Sequence, residues 1–142
     1  MINGFFGEDR HSVDGKGRVF IPVGHRDLLQ DTFIMMRDTD KCVKIYTADR
    51  WNQFTEKLSQ FPDTEADRLR RVIYSNTFRA ELDSSGRVLI PEKLRQYASI
   101  SKNVVIVGMN TRVEIWDEET WNEYYAKQNE EEMFNERLKF GL

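Results

Sequence analysis

The 142-residue chain predicts a mainly β fold with flanking helices (α+β), built as one pseudo-symmetric body from two similar halves. Three observations predict it. Val13-Asp14-Gly15-Lys16-Gly17-Arg18-Val19-Phe20-Ile21-Pro22 returns as Leu82-Asp83-Ser84-Ser85-Gly86-Arg87-Val88-Leu89-Ile90-Pro91, 69 positions on. Val43-Lys44-Ile45-Tyr46, with Trp51 and Phe54 after it, returns as Val113-Glu114-Ile115-Trp116, with Trp121 and Tyr124 after it, 70 positions on. Both repeated segments are short apolar runs beside turn residues, the pattern of strands. At this length each half is too small to hold a comfortable core alone, so the halves are expected to share one. A duplicated half suits a repeating or dyad-related partner better than a single catalytic pocket.

The elements follow in order. Phe5 to Val13 and Arg18 to Ile21 read as strands around a tight turn. Pro22 and Pro91 each follow an isoleucine, which favours extended backbone before the proline. Proline at the first helical position then opens short helices over Val23 to Leu29 and Glu92 to Tyr97. Phe33 to Arg37 and Val43 to Tyr46 form a second strand pair, echoed by Val104 to Gly108 and Val113 to Trp116. Thr47 and Asp117 stand in equivalent places as N-caps. The helices they open carry Trp51, Phe54 and Leu58, and Trp121, Tyr124 and Tyr125, at core-facing spacing, so these aromatics are read as packing. Pro62-Asp63-Thr64 leads into a helix to about Ser75, with Leu69, Val72 and Ile73 as its apolar stripe and Arg68, Arg70 and Arg71 on a solvated side. The resulting division is a first repeat at 5–49, connecting helices at 50–76, a second repeat at 77–119 and a helical tail at 120–142. In that tail Met133, Phe134, Leu138 and Phe140 have helical spacing but little to pack on, which suits docking on a neighbouring subunit; fraying is the alternative.

Composition bounds the function. The chain is 39% hydrophobic and 32% charged, the balance of a folded globular protein. Its apolar runs are too short for a membrane span, and no signal peptide is visible. A single cysteine, Cys42, excludes an intrachain disulfide, fits a reducing cytoplasm and reads as a small buried hydrophobe. The net charge of −3 is unevenly spread. Residues 1–112 carry 18 Lys/Arg against 15 Asp/Glu, whereas residues 113–142 carry 3 against 9. The body can therefore present a basic face to nucleic acid, and Glu130-Glu131-Glu132 reads as a solvated helix face. Enzyme chemistry finds no support. His11 and His25 lack a Ser, Cys or carboxylate partner at a recognisable spacing, and no metal site, cofactor or small-molecule substrate is expected. His11 is read as an exposed strand residue, with a DNA contact as the alternative. Gly15-Lys16-Gly17 is a turn tip, not a phosphate loop.

The chemistry lies in Asp-x-x-x-Arg. Between apolar strands it reads as a hairpin with a three-residue loop, whose last residue, Gly17 or Gly86, must take positive φ. Asp14 and Asp83 can then accept loop N–H groups and hold Arg18 and Arg87 across the turn. An arginine fixed in this way offers a pre-oriented fork for guanine edges or phosphates. A turn-locking ion pair is the structural alternative. Two copies in equivalent frames, each followed by an Ile-Pro step and a further arginine (Arg26, Arg95), favour the functional reading.

These residues closely resemble the MraZ family of bacterial transcriptional regulators, and more distantly the AbrB-type swapped-hairpin transcription factors. The resemblance rests on both Asp-x-x-x-Arg copies, both Ile-Pro steps, Val113-Glu114-Ile115-Trp116-Asp117 and the helical tail, and covers nearly the full chain. It implies a double-split β-barrel made of two AbrB-like repeats in one chain. It also implies a cytoplasmic, nucleoid-associated homo-oligomer, a ring, that binds short direct repeats of double-stranded DNA upstream of the division and cell-wall gene cluster. Lys16 and Arg18 match the family's DNA-contacting hairpin; Arg87 matches in the second copy, where Ser84-Ser85 lacks the lysine. Arg26 and Arg95 are carried as further DNA contacts, and Asp14, Gly17, Asp83 and Gly86 as motif supports. Two other functions compete: a ring-forming scaffold that works through protein partners, and an antitoxin-like binder whose acidic tail occupies a basic toxin surface. Cations projected from a turn tip are what a groove reader needs and a scaffold does not.

Overall fold

A computed structural model describes residues 1–142. In chain order the elements are β1 (Glu8–Ser12), β2 (Arg18–Phe20), α1 (Val23–Leu29), β3 (Phe33–Met36), β4 (Val43–Thr47), α2 (Ala48–Ser59) and α3 (Asp63–Tyr74). Then come β5 (Thr77–Ala80), β6 (Arg87–Leu89), α4 (Glu92–Tyr97), β7 (Asn103–Gly108), β8 (Val113–Asp117), α5 (Glu118–Ala126) and α6 (Glu130–Lys139). The α+β class holds, and both repeats build the same sequence of elements.

The strands exchange partners between the repeats. Six of them form an antiparallel sheet in the order β1-β7-β8-β4-β3-β5. The first repeat thus lends β1 to β7 of the second, and the second lends β5 to β3 of the first. The two remaining strands, β2 and β6, pair only with each other, in a two-stranded ribbon. This corrects the expected hairpin. The turn between β1 and β2 has the expected closure, with Gly17 N bonded to Asp14 O at 3.0 Å and Asp14 N to Arg18 O at 2.9 Å. Beyond it the strands part, β1 pairing with β7 and β2 with β6 of the other repeat. No ladder joins sheet and ribbon into a closed barrel.

Both faces of the sheet are covered, which is why β3 and β7 read as unbroken apolar runs rather than alternating ones. On one face Phe33, Met35, Val43, Ile45, Ile106 and Ile115 pack against Val19, Ile21, Val88 and Ile90 of the ribbon segments and Leu29 and Leu94 of α1 and α4. On the other, Ile34 and Met36 meet Ile73 of α3, with Trp51 and Phe54 of α2 against them. Cys42, Val105, Val107, Trp116 and Trp121 form a smaller cluster beneath α5. Tyr124 and Tyr125, expected in the core, are exposed: the short α5 buries only Trp121, the two tyrosine rings lie tilted beside it, and Tyr124 stacks on Trp116. Leu69 and Val72 are exposed as well, leaving Ile73 and Ala66 as the buried residues of α3. Nothing in α6 is buried.

Local chemistry sets the helix ends. The Thr47 hydroxyl accepts from Arg50 N at 3.2 Å, and the Asp117 carboxylate from Glu119 N at 3.1 Å. Pro22 and Pro91 sit one position earlier than expected, as the extended residues at the N-caps of α1 and α4, with ψ 139° and 140°. Arg70 closes the α2–α3 corner. Its guanidinium donates to the carboxylates of Asp63 and Asp67 and to the carbonyls of Leu58 and Phe61.

At the centre of the sheet Lys44 stands opposite Glu114 in the β4–β8 register, and both are buried. The Lys44 ammonium lies 3.0 Å from Asp38 and 2.8 Å from Asp40, while Glu114 accepts from Arg112 and from the Trp116 indole N–H. The side-chain bonds and charges of Asp40 and Asp38 hold Lys44 above its ordinary pKa, overcoming the opposing effect of burial.

Two predictions follow from this packing. Gly17 has φ +85°, and a Cβ there would lie 2.8 Å from Arg95 Cζ, whereas Gly15 has open space around it. Gly17→Ala should therefore cost about 1–2 kcal/mol in urea unfolding and Gly15→Ala almost nothing. His25 is buried edge-on to Phe5 with Nε2 unbonded, and burial lowers its pKa from 6.5 despite the opposing charge of Asp9. The fold thus holds the neutral imidazole. Stability is full above the unfolded pKa and should decline as pH falls below 6.5 toward the lowered value of the folded state. His25→Leu should flatten that decline, as read by the thermal midpoint between pH 7 and about 4.5.

Candidate nucleic-acid interface

The β2–β6 ribbon gathers most of the motif residues. Its three rungs are Arg18–Leu89, Val19–Val88 and Phe20–Arg87, extended by Ile21 N to Gly86 O at 3.0 Å and Ile90 N to Gly17 O at 2.9 Å. Strand alternation turns Val19 and Val88 inward, where both are 1% exposed. The other four side chains share the outward face: Arg18 and Leu89 on one rung, Phe20 and Arg87 on the other. Sequence reasoning singled out the arginines and passed over Phe20 and Leu89. The period-two alternation of Arg18, Val19, Phe20 and Ile21 was the signal that could have found them.

Each arginine is held by its own turn. Asp14 Oδ1 accepts from the backbone N–H groups of Lys16 and Arg18, both at 2.9 Å, and its Oδ2 accepts from Arg18 Nε at 2.8 Å. Asp83 repeats the pattern with Ser85 N, Arg87 N and Arg87 Nε, all at 2.9 Å. The Arg18 backbone N–H, then its side chain and the Lys16 N–H, lower the Asp14 carboxyl to about 2. The Arg87 backbone N–H leads the same downward shift at Asp83. Both carboxylates are therefore ionised at neutral pH and act as fixed acceptors. Asp14 also lies 3.9 Å from Arg87 Nη1, which ties the first turn electrostatically to the second. Each guanidinium bonds its aspartate through Nε, leaving the two terminal nitrogens free of hydrogen bonds to protein and only partly exposed to solvent.

The remaining predicted residues separate by environment. Lys16 is exposed on its turn and makes no ion pair. Arg26 and Arg95 are half-buried and cross between repeats. Arg26 Nε donates to Ile21 O at 2.7 Å while its guanidinium packs on Gly86; Arg95 Nε donates to Ile90 O at 2.9 Å while its guanidinium packs on Gly17. The absence of a Cβ at each glycine makes room for the arginine of the opposite repeat. Gly17 and Gly86 have φ 85° and 82°, as the turn requires. His11 lies on β1 opposite Val104, away from the ribbon's strands. Arg68 and Arg71 are exposed on α3.

No group of three or more His, Cys, Asp or Glu residues is placed to hold a metal ion. Cys42 is fully buried, and burial pushes its thiol pKa up, away from reactivity. No helix is long and apolar enough to cross a membrane.

Among known families, a match falls on both repeats. The sequence model of the MraZ protein family, described as antitoxin-like, matches residues 5–71 and again residues 73–139. The family is of the nucleic-acid-binding regulator type rather than an enzyme family. With both matches together spanning nearly its whole length, the chain belongs to the MraZ family.

Proposed function

We propose that this protein is a sequence-specific DNA-binding transcriptional regulator that grips short direct repeats upstream of a division and cell-wall gene cluster, its own gene included. The observation that carries the reading is the ribbon, an antiparallel pair whose outward face presents two arginines, each fixed by an ionised aspartate. A two-stranded ribbon fits the major groove, and a fixed arginine fork matches the O6 and N7 acceptors of guanine. In this reading Arg18 and Arg87 contact bases. Lys16, with Arg26 and Arg95 behind the turns, contacts phosphates, which position the protein without reading sequence. We read the ribbon and the sheet, which enclose one core, as the two parts of the double-split architecture that the family resemblance implies.

One protomer offers a single small reading face, so useful affinity calls for several acting together on consecutive repeats. The apolar side chains of α6 support such an assembly. Met133, Phe134, Leu138 and Phe140 are 57–65% exposed, a stripe that a lone chain rarely leaves uncovered. We read α6 as a subunit contact in a homo-oligomeric ring; a head-to-tail contact generates rings or filaments rather than a closed dimer.

Fluorescence anisotropy on tandem-repeat and scrambled duplexes tests the division of roles. Arg18→Ala should remove discrimination worth roughly 1–3 kcal/mol per contact, and Asp14→Asn should weaken cognate binding by releasing the same fork. Lys16→Ala should weaken both duplexes alike and flatten the salt dependence. Identical behaviour of Arg18→Ala and Lys16→Ala on the two duplexes overturns the assignment. Assembly is tested separately by light scattering. The intact chain should run larger than a dimer and bind more tightly as repeats are added, and removal of residues 130–142 should shift it toward the monomer. A monomer at micromolar concentration, or affinity indifferent to repeat number, overturns the ring.

A further inference from the structure

The outward face of the ribbon is not purely cationic. Phe20 and Leu89 are 45% and 54% exposed, and they occupy matched positions in the two repeats. Each stands across a rung from an arginine, Phe20 from Arg87 and Leu89 from Arg18, so charged and apolar side chains alternate in a two-by-two square. The Arg87 guanidinium lies over the Phe20 ring, with Cζ 5.9 Å from its centroid, and donates to Asp83 through Nε. Neither apolar side chain belongs to the hydrophobic core, although Val19 and Val88 between them are wholly buried in it. Core packing therefore does not account for a phenylalanine and a leucine at these places.

We propose that Phe20 and Leu89 read the 5-methyl groups of thymines beside the guanines taken by the arginines. This inference rests on the ribbon being the face that enters the major groove. Thymine is the one base that shows an apolar group in that groove, and a phenylalanine or leucine side chain meets it without leaving a polar group unpaired. Directly opposed side chains on a ladder stand about 4.5–5.5 Å apart, between one and two steps of the roughly 3.4 Å rise between stacked bases. An arginine and its apolar neighbour can therefore address adjacent base pairs. The square is chemically lopsided: Phe20 shares its repeat with Lys16, and Leu89 shares its repeat with Ser85. That inequality gives the reading face a direction, which direct repeats require and a symmetric face would not supply.

Replacing thymine by deoxyuridine removes the methyl group alone and leaves hydrogen bonding and phosphates unchanged. The probe is a duplex selected from a random library by the intact protein, substituted one thymine at a time. The wild-type chain should lose about fourfold in affinity at particular thymines, the worth of one buried methyl group. Phe20→Ala should bind the unsubstituted duplex correspondingly less well and become indifferent to deoxyuridine at one of those thymines; Leu89→Ala should do the same at another. Phe20→Leu, which keeps an apolar contact, should retain part of the sensitivity. Deoxyuridine costing less than twofold at every thymine, or alanine variants as sensitive as wild type, overturns the methyl reading while selective DNA binding stands. The wild-type scan needs no variant, so it decides even if an alanine variant misfolds. Failure of the intact protein to prefer any duplex overturns the ribbon's role in DNA recognition, and the methyl reading with it.

Discussion

Three rungs, Arg18–Leu89, Val19–Val88 and Phe20–Arg87, hold the ribbon together, and every one of them joins the first repeat to the second. The sheet obeys the same constraint at β1–β7, β4–β8 and β3–β5. The main core draws on both repeats for its sheet strands, its ribbon residues and its short helices. Stability and site geometry therefore have one origin. Whatever separates the repeats also removes the surface on which Arg18 and Arg87 stand side by side.

The same crossing explains what could be read locally and what could not. Helices α1 and α4 were legible because an Ile-Pro step fixes where extended backbone ends and helix begins. The caps at Thr47 and Asp117 were legible because a short polar side chain at a strand end has a nearby N–H to accept. The turn at Asp14–Arg18 was legible too, down to the positive φ of Gly17. The identity of the strand that β1 pairs with was not. Turn residues fix the angles of a turn, but the ladder beyond it is decided by apolar runs more than ninety positions away, such as Val104 to Val107. At the site, the aspartate–arginine pairs are local and could be inferred. The packing of Arg26 on Gly86 and of Arg95 on Gly17 is an exchange between repeats, invisible to spacing within either one. Tyr124 and Tyr125 misled for a related reason. Their helical spacing from Trp121 was sound, but in the nine-residue α5 only Trp121 is buried, while Tyr124 stacks on Trp116 of β8 and stays exposed on its other side.

Electrostatics at the ribbon favours direction over strength. Pairing Arg18 with Asp14 and Arg87 with Asp83 reduces the local positive charge, and with it the long-range pull on a polyanion. In return the two forks are held before any partner arrives, so little side-chain freedom remains to be lost on binding. Lys16 has no such partner and keeps its full charge. An overall charge of −3 is compatible with this design, because the acid is concentrated after residue 112, in β8 and the helices that follow.

Lys44 and Glu114 occupy equivalent positions in the two repeats and face each other across the middle of the sheet. Such a site makes the repeats distinguishable to one another. If first repeats from two chains met through this ladder, lysine would oppose lysine in a buried place; two second repeats would set glutamate against glutamate. Each lysine would still bring its own Asp38 and Asp40, and each glutamate its own Arg112 and Trp116, but like charges would be buried side by side. Unlike repeats avoid that repulsion, and the connection through α2 and α3 keeps the right one close at hand. A body that looks like a dimer fused into one chain thus sets a charge preference for unlike halves at the centre of its sheet.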